Sequence, residues 1–392
     1  MIIKMAFRNI FRHRTRSILT LISLAFGIFI VILGVGLNLG MERHIIKITR
    51  DISIGDYKLY KKGYFADKFE NYDSRLDFMI TSDIESILEK YNYSKRTVFQ
   101  GTITTDTYDY PVKVIGGNTR DEEKLFQRNK YLIAGKEGVV LSSKLAKNLD
   151  LKVGDPFVLQ GITAKGSVNA KDFVVTGIIE TGSFEFDSGT VLMKKSVIDE
   201  FIETDGFNDV VIKGHISDID LKKLDDQGVE VVTYLKELED LMAITQIKLK
   251  VTFIFGSIIL LISGVGIVNT MLMAMLERKK EVGILMANGI KPNTILKLFV
   301  LEGAIMGGIG SGIGFITGGA LLYYYEIVGI ALPEMADKMG TAIPLSNRVY
   351  GYFDWKLNIL FLIFGILIAI FSSLYPAYKA TQLEPIDVIW DR

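Results

Sequence analysis

The stretch Asn269–Glu302, NTMLMAMLERKKEVGILMANGIKPNTILKLFVLE, decides how this chain is organised. An apolar helix runs into a charged turn at Glu277, a short amphipathic helix follows, and Gly289 is placed to end it. Pro292 then opens a second apolar helix, because proline is favoured in the first turn. The stretch therefore predicts two membrane spans joined by a short helix that lies across the membrane surface.

Four windows of the sequence contain no charged residue. Each is longer than the roughly 20 residues that a helix needs to cross a hydrocarbon core of about 30 Å. Helices are expected because they satisfy their own backbone polar groups in lipid. The windows are Ser17–Met41, Val251–Leu276, Gly303–Tyr325 and Leu357–Tyr378. The predicted fold class is a multi-pass α-helical membrane protein with four transmembrane helices, arranged as one plus three around a large intervening domain.

The basic residues that flank the windows predict the orientation, since short cytoplasmic loops carry an excess of lysine and arginine. The flank before the first window and the loop 277–297 are basic, whereas the loop 326–356 is no more basic than acidic. The N-terminus, loop 277–297 and the C-terminal tail are thus expected in the cytoplasm. We expect three parts: 1–41 with the first span, 42–246 as an extracytoplasmic domain with stalk helices, and 247–392 with the other three spans.

The extracytoplasmic part is predicted to be an α+β domain, because short apolar β-prone runs lie between turn residues. Helices are expected at Ser82, from a serine followed three residues later by a glutamate, and over Ser143–Leu149. The segment Val229–Phe255 has no glycine or proline, which predicts a stalk helix that continues into the second span, with a break near Lys248 or Lys250 as the alternative. The predicted strand cores are Lys58–Tyr60, Thr97–Phe99, Val112–Ile115, Val139–Leu141 and Phe173–Val175.

Motifs for catalysis are absent from the sequence. It has no P-loop signature, so any ATP and magnesium are expected on a separate subunit, and no cofactor is expected in this chain. It has no cysteine and no nucleophile elbow, and His13, His44 and His215 lie on separate segments, so neither a catalytic residue nor a metal site is expected. With 45 acidic and 45 basic residues, nothing indicates nucleic-acid binding.

The stretch quoted above resembles the core motif of the FtsX-like/MacB-type ABC transporter permease family, which reads E-R-x-x-E-[I/V]-G and then alanine-x-glycine. Met286 and Asn288 depart from that motif. Within the family, the sequence looks most like the lipoprotein-releasing LolC/LolE branch, through the run Gly55–Phe65 and the segment Gly177–Gly182. Further matches to the family are Ala6–Ile10, Arg14–Arg16, Leu145–Asp155, and the segment from Tyr375 to Ile386.

The resemblance implies a permease of the bacterial inner membrane, with both termini cytoplasmic and a large periplasmic domain like that of MacB. Its implied partners are a LolD-like ABC ATPase, a second permease subunit that is identical or paralogous, membrane lipids, a lipoprotein substrate and a periplasmic chaperone. In the Lol branch an acylated lipoprotein enters sideways from the outer leaflet. The alternatives are a MacB-like efflux permease that works with an adaptor protein, and an FtsX-like signal transmitter that activates a cell-wall hydrolase.

The resemblance implies two groups of site residues, and the spacing of small residues predicts a third. The ATPase-coupling group, in the short helix at 277–289, is Glu277, Arg278, Glu281, Val282, Gly283, Leu285, Met286 and Gly289. The substrate-facing group on the first two spans is Phe26, Phe29, Ile30, Leu33, Phe253, Ile254 and Ile258. The helix-packing group in the third span is Gly303, Gly307, Gly310, Gly314 and Gly318, and Gly308 and Gly312 form a further small-residue pair. Glu302 matches a family glutamate, and the alternative is that it simply reaches water at the membrane edge.

Overall fold

The computed structural model describes residues 2–10, 14–63, 80–105, 109–126, 138–331 and 348–383. They fall into two compact units. The helical unit contains the described residues up to 42, those of 243–331 and those from 348 onward. The sheet unit contains the described residues of 43–242.

The described elements are four long helices, several short helices, one nine-stranded sheet and one two-stranded sheet formed by Ile330–Ala331 and Arg348–Val349. In chain order the helices are α1 Ile2–Ile10, α2 Arg14–Thr49, α3 Ser82–Leu88, α4 Thr119–Leu125, α5 Ser143–Asn148, α6 Phe184–Gly189, α7 Lys195–Ile202, α8 Asp218–Asp226, α9 Tyr234–Glu237, α10 Glu239–Glu277, α11 Lys279–Ala287, α12 Pro292–Val328 and α13 Trp355–Thr381. The strands are β1 Tyr57–Lys61, β2 Asn92–Thr104, β3 Asp109–Gly117, β4 Val139–Ser142, β5 Pro156–Ile162, β6 Val168–Ile179, β7 Thr190–Lys194, β8 Asp209–Lys213, β9 Val229–Thr233, β10 Ile330–Ala331 and β11 Arg348–Val349.

Four of these helices, α2, α10, α12 and α13, are long and apolar enough to cross a membrane. Each contains one of the four uncharged windows. Helix α2 passes into a π-helical turn, Arg50–Ile54, that ends at Gly55 with φ +71°. Helix α10 runs through Lys248 and Lys250 without a break. The continuous helix predicted there is therefore confirmed, although it begins at Glu239 and not in the β9 segment.

Glycines of α12 allow the spans to approach closely. A Cβ at Gly303 or Gly307 would meet Ser373 or Ala369 of α13. On the other side, a Cβ at Gly310 would meet Leu24 of α2. Gly314 and Gly318 face α2 in the same way, at Ala25 and at Phe29 and Ile32. The expectation that Gly308 and Gly312 also pack is wrong within this chain, because no described atom lies within 4 Å of a Cβ built at either position.

The sheet unit has nine strands in the order β3-β7-β4-β6-β5-β2-β8-β1-β9, and β3 also pairs with β2. That extra pairing closes β2 to β7 into a ring, from which β8, β1 and β9 extend. Antiparallel pairs dominate, but β3–β7 and β4–β6 are parallel. The ring surrounds an apolar core that includes Phe99, Leu159 and Phe201. A second core, with Leu59, Ile84 and Ile212, lies under α3 and α8.

All five predicted strand cores lie within strands β1 to β4 and β6. The helix-start prediction at Ser82 is one residue out, because Thr81 is the N-cap and its hydroxyl accepts from the Ile84 amide. The apolar face of α3, which includes Ile84 and Leu88, is buried as expected. The helix expected over Ser143–Leu149 ends at Asn148.

Candidate coupling site

Three separate parts of the helical unit meet where α10 ends and α12 begins. Arg278 follows α10 directly, and its Nη1 lies 3.1 Å from Glu302 Oε1 of α12. Asn9 of α1 donates from Nδ2 to the same Glu302 oxygen at 2.7 Å, and Arg278 Nη2 donates to the Asn9 carbonyl oxygen at 2.9 Å. Arg278 is 7% exposed and Glu302 2% exposed. The alternative that Glu302 reaches water is therefore wrong, because its carboxylate is held inside the helical unit.

A second charge pair ties the same region to α2. Arg16 forms a two-pronged contact with Glu277, at 3.2 Å from Nη1 to Oε2 and at 3.0 Å from Nη2 to Oε1. Both side chains are about one third exposed. Solvent screens such a pair, so it contributes about 0–1 kcal/mol and serves mainly to fix geometry. Glu277 is thus held in register with the first span.

The convergence explains sequence motifs that are far apart in the chain. Asn9 belongs to the Ala6–Ile10 motif, Arg16 to the Arg14–Arg16 motif, and Glu277 and Arg278 to the E-R-x-x-E motif. Sequence reasoning missed that these motifs meet. One signal in the sequence was available: the basic flanks predicted that all of these motifs lie on the same side of the membrane.

The short helix α11 has one face turned into the protein and one turned outward. Val282 is 4% exposed and belongs to the core of the helical unit, and Leu285 and Met286 pack against the same core. Of the expected apolar docking face, Val282 is therefore buried within this chain, whereas Leu285 and Met286 stay partly exposed. Glu281 and Ile284 point outward instead, Ile284 being 52% exposed. Sequence reasoning missed Ile284, although it lies three residues beyond Glu281 on the same helical face.

Helix α11 is shorter than the predicted 277–289 helix, because Glu277 still belongs to α10 and Arg278 separates the two helices. The helix stops at Ala287, Gly289 has φ +87°, and Pro292 is the first residue of α12. Gly283 is buried beside Val282. The part that the eight coupling residues play toward an ATPase stays a prediction, and the structure offers Glu281 and its outward neighbours for that contact.

The substrate-facing residues predicted on the first two spans differ in exposure, and their role toward a substrate stays a prediction. Phe26, Phe253, Ile254 and Ile258 are exposed on the surface of the spans. Phe29, Ile30 and Leu33 are half-buried. Phe26 stacks on Phe29 along α2, whereas the Phe253 ring lies 5.8 Å from that of Phe361 of α13.

Small and polar residues form the contact between α2 and α10. The Thr20 and Thr270 hydroxyl oxygens lie 2.7 Å apart, and Ser263 donates to the Ser23 carbonyl oxygen. Asn38 donates from Nδ2 to Thr252 Oγ1 at 3.2 Å. Such contacts hold transmembrane helices together where lipid supplies no hydrophobic driving force.

In the described part of the chain no group of three or more histidine, cysteine or acidic residues could hold a metal ion.

Comparison with known families agrees with this geometry. Residues 17–226 match the MacB-like periplasmic core domain, and residues 253–385 match the FtsX-like permease C-terminal domain. Together with the four spans, these matches define a membrane permease with an extracytoplasmic domain. The chain belongs to the FtsX-like/MacB-type family of ABC transporter permeases, which work with an ATPase partner. The Pro385-Ile386 end of the C-terminal motif lies outside the described residues.

Proteins of several named functions are similar to this chain in sequence. An uncharacterized ABC transporter permease of Methanocaldococcus jannaschii is 24% identical over 99% of this chain and 97% of its own length. The lipoprotein-releasing system transmembrane protein LolC of Xylella fastidiosa is 22% identical over 65% of each chain. The macrolide export ATP-binding/permease protein MacB of Neisseria meningitidis is 23% identical over 98% of this chain and 60% of its own.

Proposed function

We propose that this chain is the permease subunit of a lipoprotein-releasing system of the inner membrane, with its termini in the cytoplasm. It extracts lipoproteins from the outer leaflet and passes them to a periplasmic chaperone, and a separate LolD-like subunit hydrolyses the ATP. The similarity to LolC supports the substrate class. Each buried acyl CH₂ contributes about 0.8 kcal/mol to anchoring, so extracting several chains needs an energy source.

The observation that carries the transport mechanism is the convergence of Asn9, Arg278 and Glu302. An ATPase that moves α11 acts through this buried cluster on α1, α10 and α12 at once. Helix α10 then continues without a break from Glu277 back to Glu239. A shift at the ATPase contact therefore has a rigid element along which to travel.

Depletion of the protein in its own cell tests the substrate. We expect lipoproteins destined for the outer membrane to accumulate in the inner membrane, as measured by fractionation and blotting. Complementation with the wild-type gene is the positive control. Unchanged sorting of lipoproteins would contradict the proposal.

A second function, efflux with an adaptor protein, is favoured by the match to MacB, which covers 98% of this chain. The same depletion strain separates the two. Normal lipoprotein sorting together with sensitivity to one class of toxic compound would favour efflux. Normal sorting with a defect in cell-wall cleavage would instead favour a signal transmitter.

A further inference from the structure

The sheet unit contains a cleft of about 380 Å³ that the transport proposal does not use. Strands β1, β2, β3 and β8 form its floor. Its walls include Thr49 and Ser53, at the end of α2 and in the π-helical turn after it, and Leu238 and Leu241, just before and within the first turn of α10. The cleft therefore lies among the segments of the sheet unit that lead into the two long helices.

Strand register places charged side chains on the floor of the cleft. Lys58 pairs with Val211, Asp209 pairs with Arg96, and Gln100 pairs with Lys113. Since side chains alternate between the faces of a strand, Lys58, Asp209 and Lys113 all lie on the same face of the sheet. All three line the cleft.

Asp209 lines the cleft and carries a buried acceptor oxygen that is unpaired among the described residues. The residue is 2% exposed, and its Oδ2 lies 3.4 Å from Lys58 Nζ. Its Oδ1 has no hydrogen-bond partner among the described residues. A buried carboxylate oxygen without a donor is costly, so a bound group that donates would be stabilised there.

Lys58 is held in its charged form by the groups around it. Burial alone would lower the pKa of the Lys58 ammonium, but Asp209, Tyr60 and Glu237 together raise it well above its ordinary value. The Lys58 ammonium thus belongs to the protein's own pairing with Asp209 and Glu237, which lie 3.4 Å from it. A ligand has to use the remaining groups.

Lys113 is the complementary group. Its side chain is exposed to the cleft, and no hydrogen bond or ion pair joins it to a described residue. Protein atoms crowd around it, and this desolvation, with the nearby charge of Lys58, lowers the pKa of the Lys113 ammonium. The side chain is exposed to the cleft, where an anionic group would stabilise its ammonium form.

We propose that this cleft binds a small zwitterion, of the size of an amino acid or dipeptide, with its protonated amine on Asp209 and its carboxylate on Lys113. The ligand amine donates to Asp209 Oδ1, and the carboxylate accepts from Lys113 Nζ. A simple amine would be repelled by Lys113, and a simple anion by Asp209 and Glu237. Tyr60, Phe186 and Leu238 also line the cleft and would contact a side chain of the ligand.

This inference goes beyond the proposed transport function and does not depend on it. The test uses the full chain in lipid nanodiscs and isothermal titration with glycine, L-alanine and L-alanyl-L-alanine. L-alaninamide, which lacks the carboxylate charge, and N-acetyl-L-alanine, which lacks the amine charge, are the matched probes. We expect at least one zwitterion to bind in the millimolar range or better, and its single-charge analogue to bind about tenfold more weakly.

Variants assign the two contacts. Lys113→Met and Asp209→Asn should each weaken zwitterion binding by about tenfold or more, which corresponds to one lost charge contact. Lys222→Met, at an exposed lysine of α8, should bind as the wild type does. Because Asp209→Asn also disturbs Lys58, its melting temperature is measured first. Lys113 has no hydrogen-bond or ion-pair partner among the described residues, so its variant remains a clean test if Asp209→Asn unfolds.

Protection of Lys113 from acylation detects binding that is too weak for isothermal titration. Because the pKa of Lys113 is lowered, an acylating reagent should modify Lys113 faster than Lys222 at the same pH, as measured by peptide mass spectrometry. A saturating zwitterion should slow acylation of Lys113 by several-fold and leave Lys222 unchanged. The proposal is overturned if none of the three zwitterions binds or protects Lys113, if Lys113→Met binds them as the wild type does, or if L-alaninamide binds as tightly as L-alanine.

Discussion

Arg278 Nη1 lies 3.1 Å from Glu302 Oε1, with both side chains buried, so one ion pair joins the end of α10 to the first turns of α12. The pair also holds α1 through Asn9. Buried ion pairs contribute little net stability compared with apolar residues of the same volume. Their value here is positional, because they fix three helices at the base of α11.

Removing either partner alone should destabilise the protein strongly. Arg278→Met leaves a buried carboxylate and Glu302→Met a buried guanidinium, each at a cost of about 3–5 kcal/mol. The double variant should recover most of that loss, because no charge remains unpaired. Thermal unfolding of the detergent-solubilised chain measures all three. Losses that simply add in the double variant would show that the two side chains act independently.

Leucine at Gly314 and at Gly308 should have opposite outcomes. A Cβ at Gly314 would clash with the Ala25 carbonyl oxygen of α2, so Gly314→Leu should reduce yield and lower the melting temperature. Gly308→Leu adds the same side chain on the same helix where no described atom is near, and should be tolerated. Size-exclusion chromatography and a melting curve compare the two. Equal behaviour of the two variants would show that close packing of α2 and α12 is not limiting.

Local patterns of the sequence predicted the spans and several strands because hydropathy and alternation are local properties. The uncharged windows located α2, α10, α12 and α13, and Gly289 and Pro292 located the end of α11 and the start of α12. Helix α7 and strand β8 were missed. Their short apolar runs depend on packing against distant strands, which periodicity does not reveal.

Side-chain partners of the candidate site were harder to predict. Arg278 carries a charge and lies in a charged turn, which indicated a surface residue, yet it is buried because Glu302, 24 positions away, accepts from it. The same limit hid Arg96, 1% exposed, and its partner Glu122 in the sheet unit. Such pairs depend on the tertiary fold, and no short-range pattern identifies them.

The sheet unit should lose part of its stability at low pH through Asp220. Hydrogen bonds from Tyr91, then Lys90 and Ser217, hold the pKa of the Asp220 carboxyl below its ordinary value of about 4. A lowered folded pKa stabilises the fold above the unfolded pKa, and that contribution is lost as pH falls through the folded pKa. Asp220→Asn should therefore melt below the wild type at pH 7, and the gap should narrow below about pH 4. Asp218→Asn, on the exposed side of α8, is the control, and a gap that does not change with pH would contradict the prediction.

The outward face of α11 should decide whether the ATPase binds. Glu281→Lys reverses a charge there, and Ile284→Asp places a carboxylate where an apolar side chain is 52% exposed. If this face docks into the ATPase, the new lysine would face a like charge in the interface, and the new aspartate would lose its water there. Each change would cost several kcal/mol of binding free energy. Both variants should then lose co-purified ATPase and stimulated hydrolysis in nanodiscs, while circular dichroism and melting temperature stay near wild type, because neither side chain is buried. Asp226→Lys, an equal charge reversal on exposed α8 of the sheet unit, should retain full activity. Retention of the partner and of stimulated hydrolysis by both α11 variants would show that this helix is a surface linker and that coupling runs through another part of the chain.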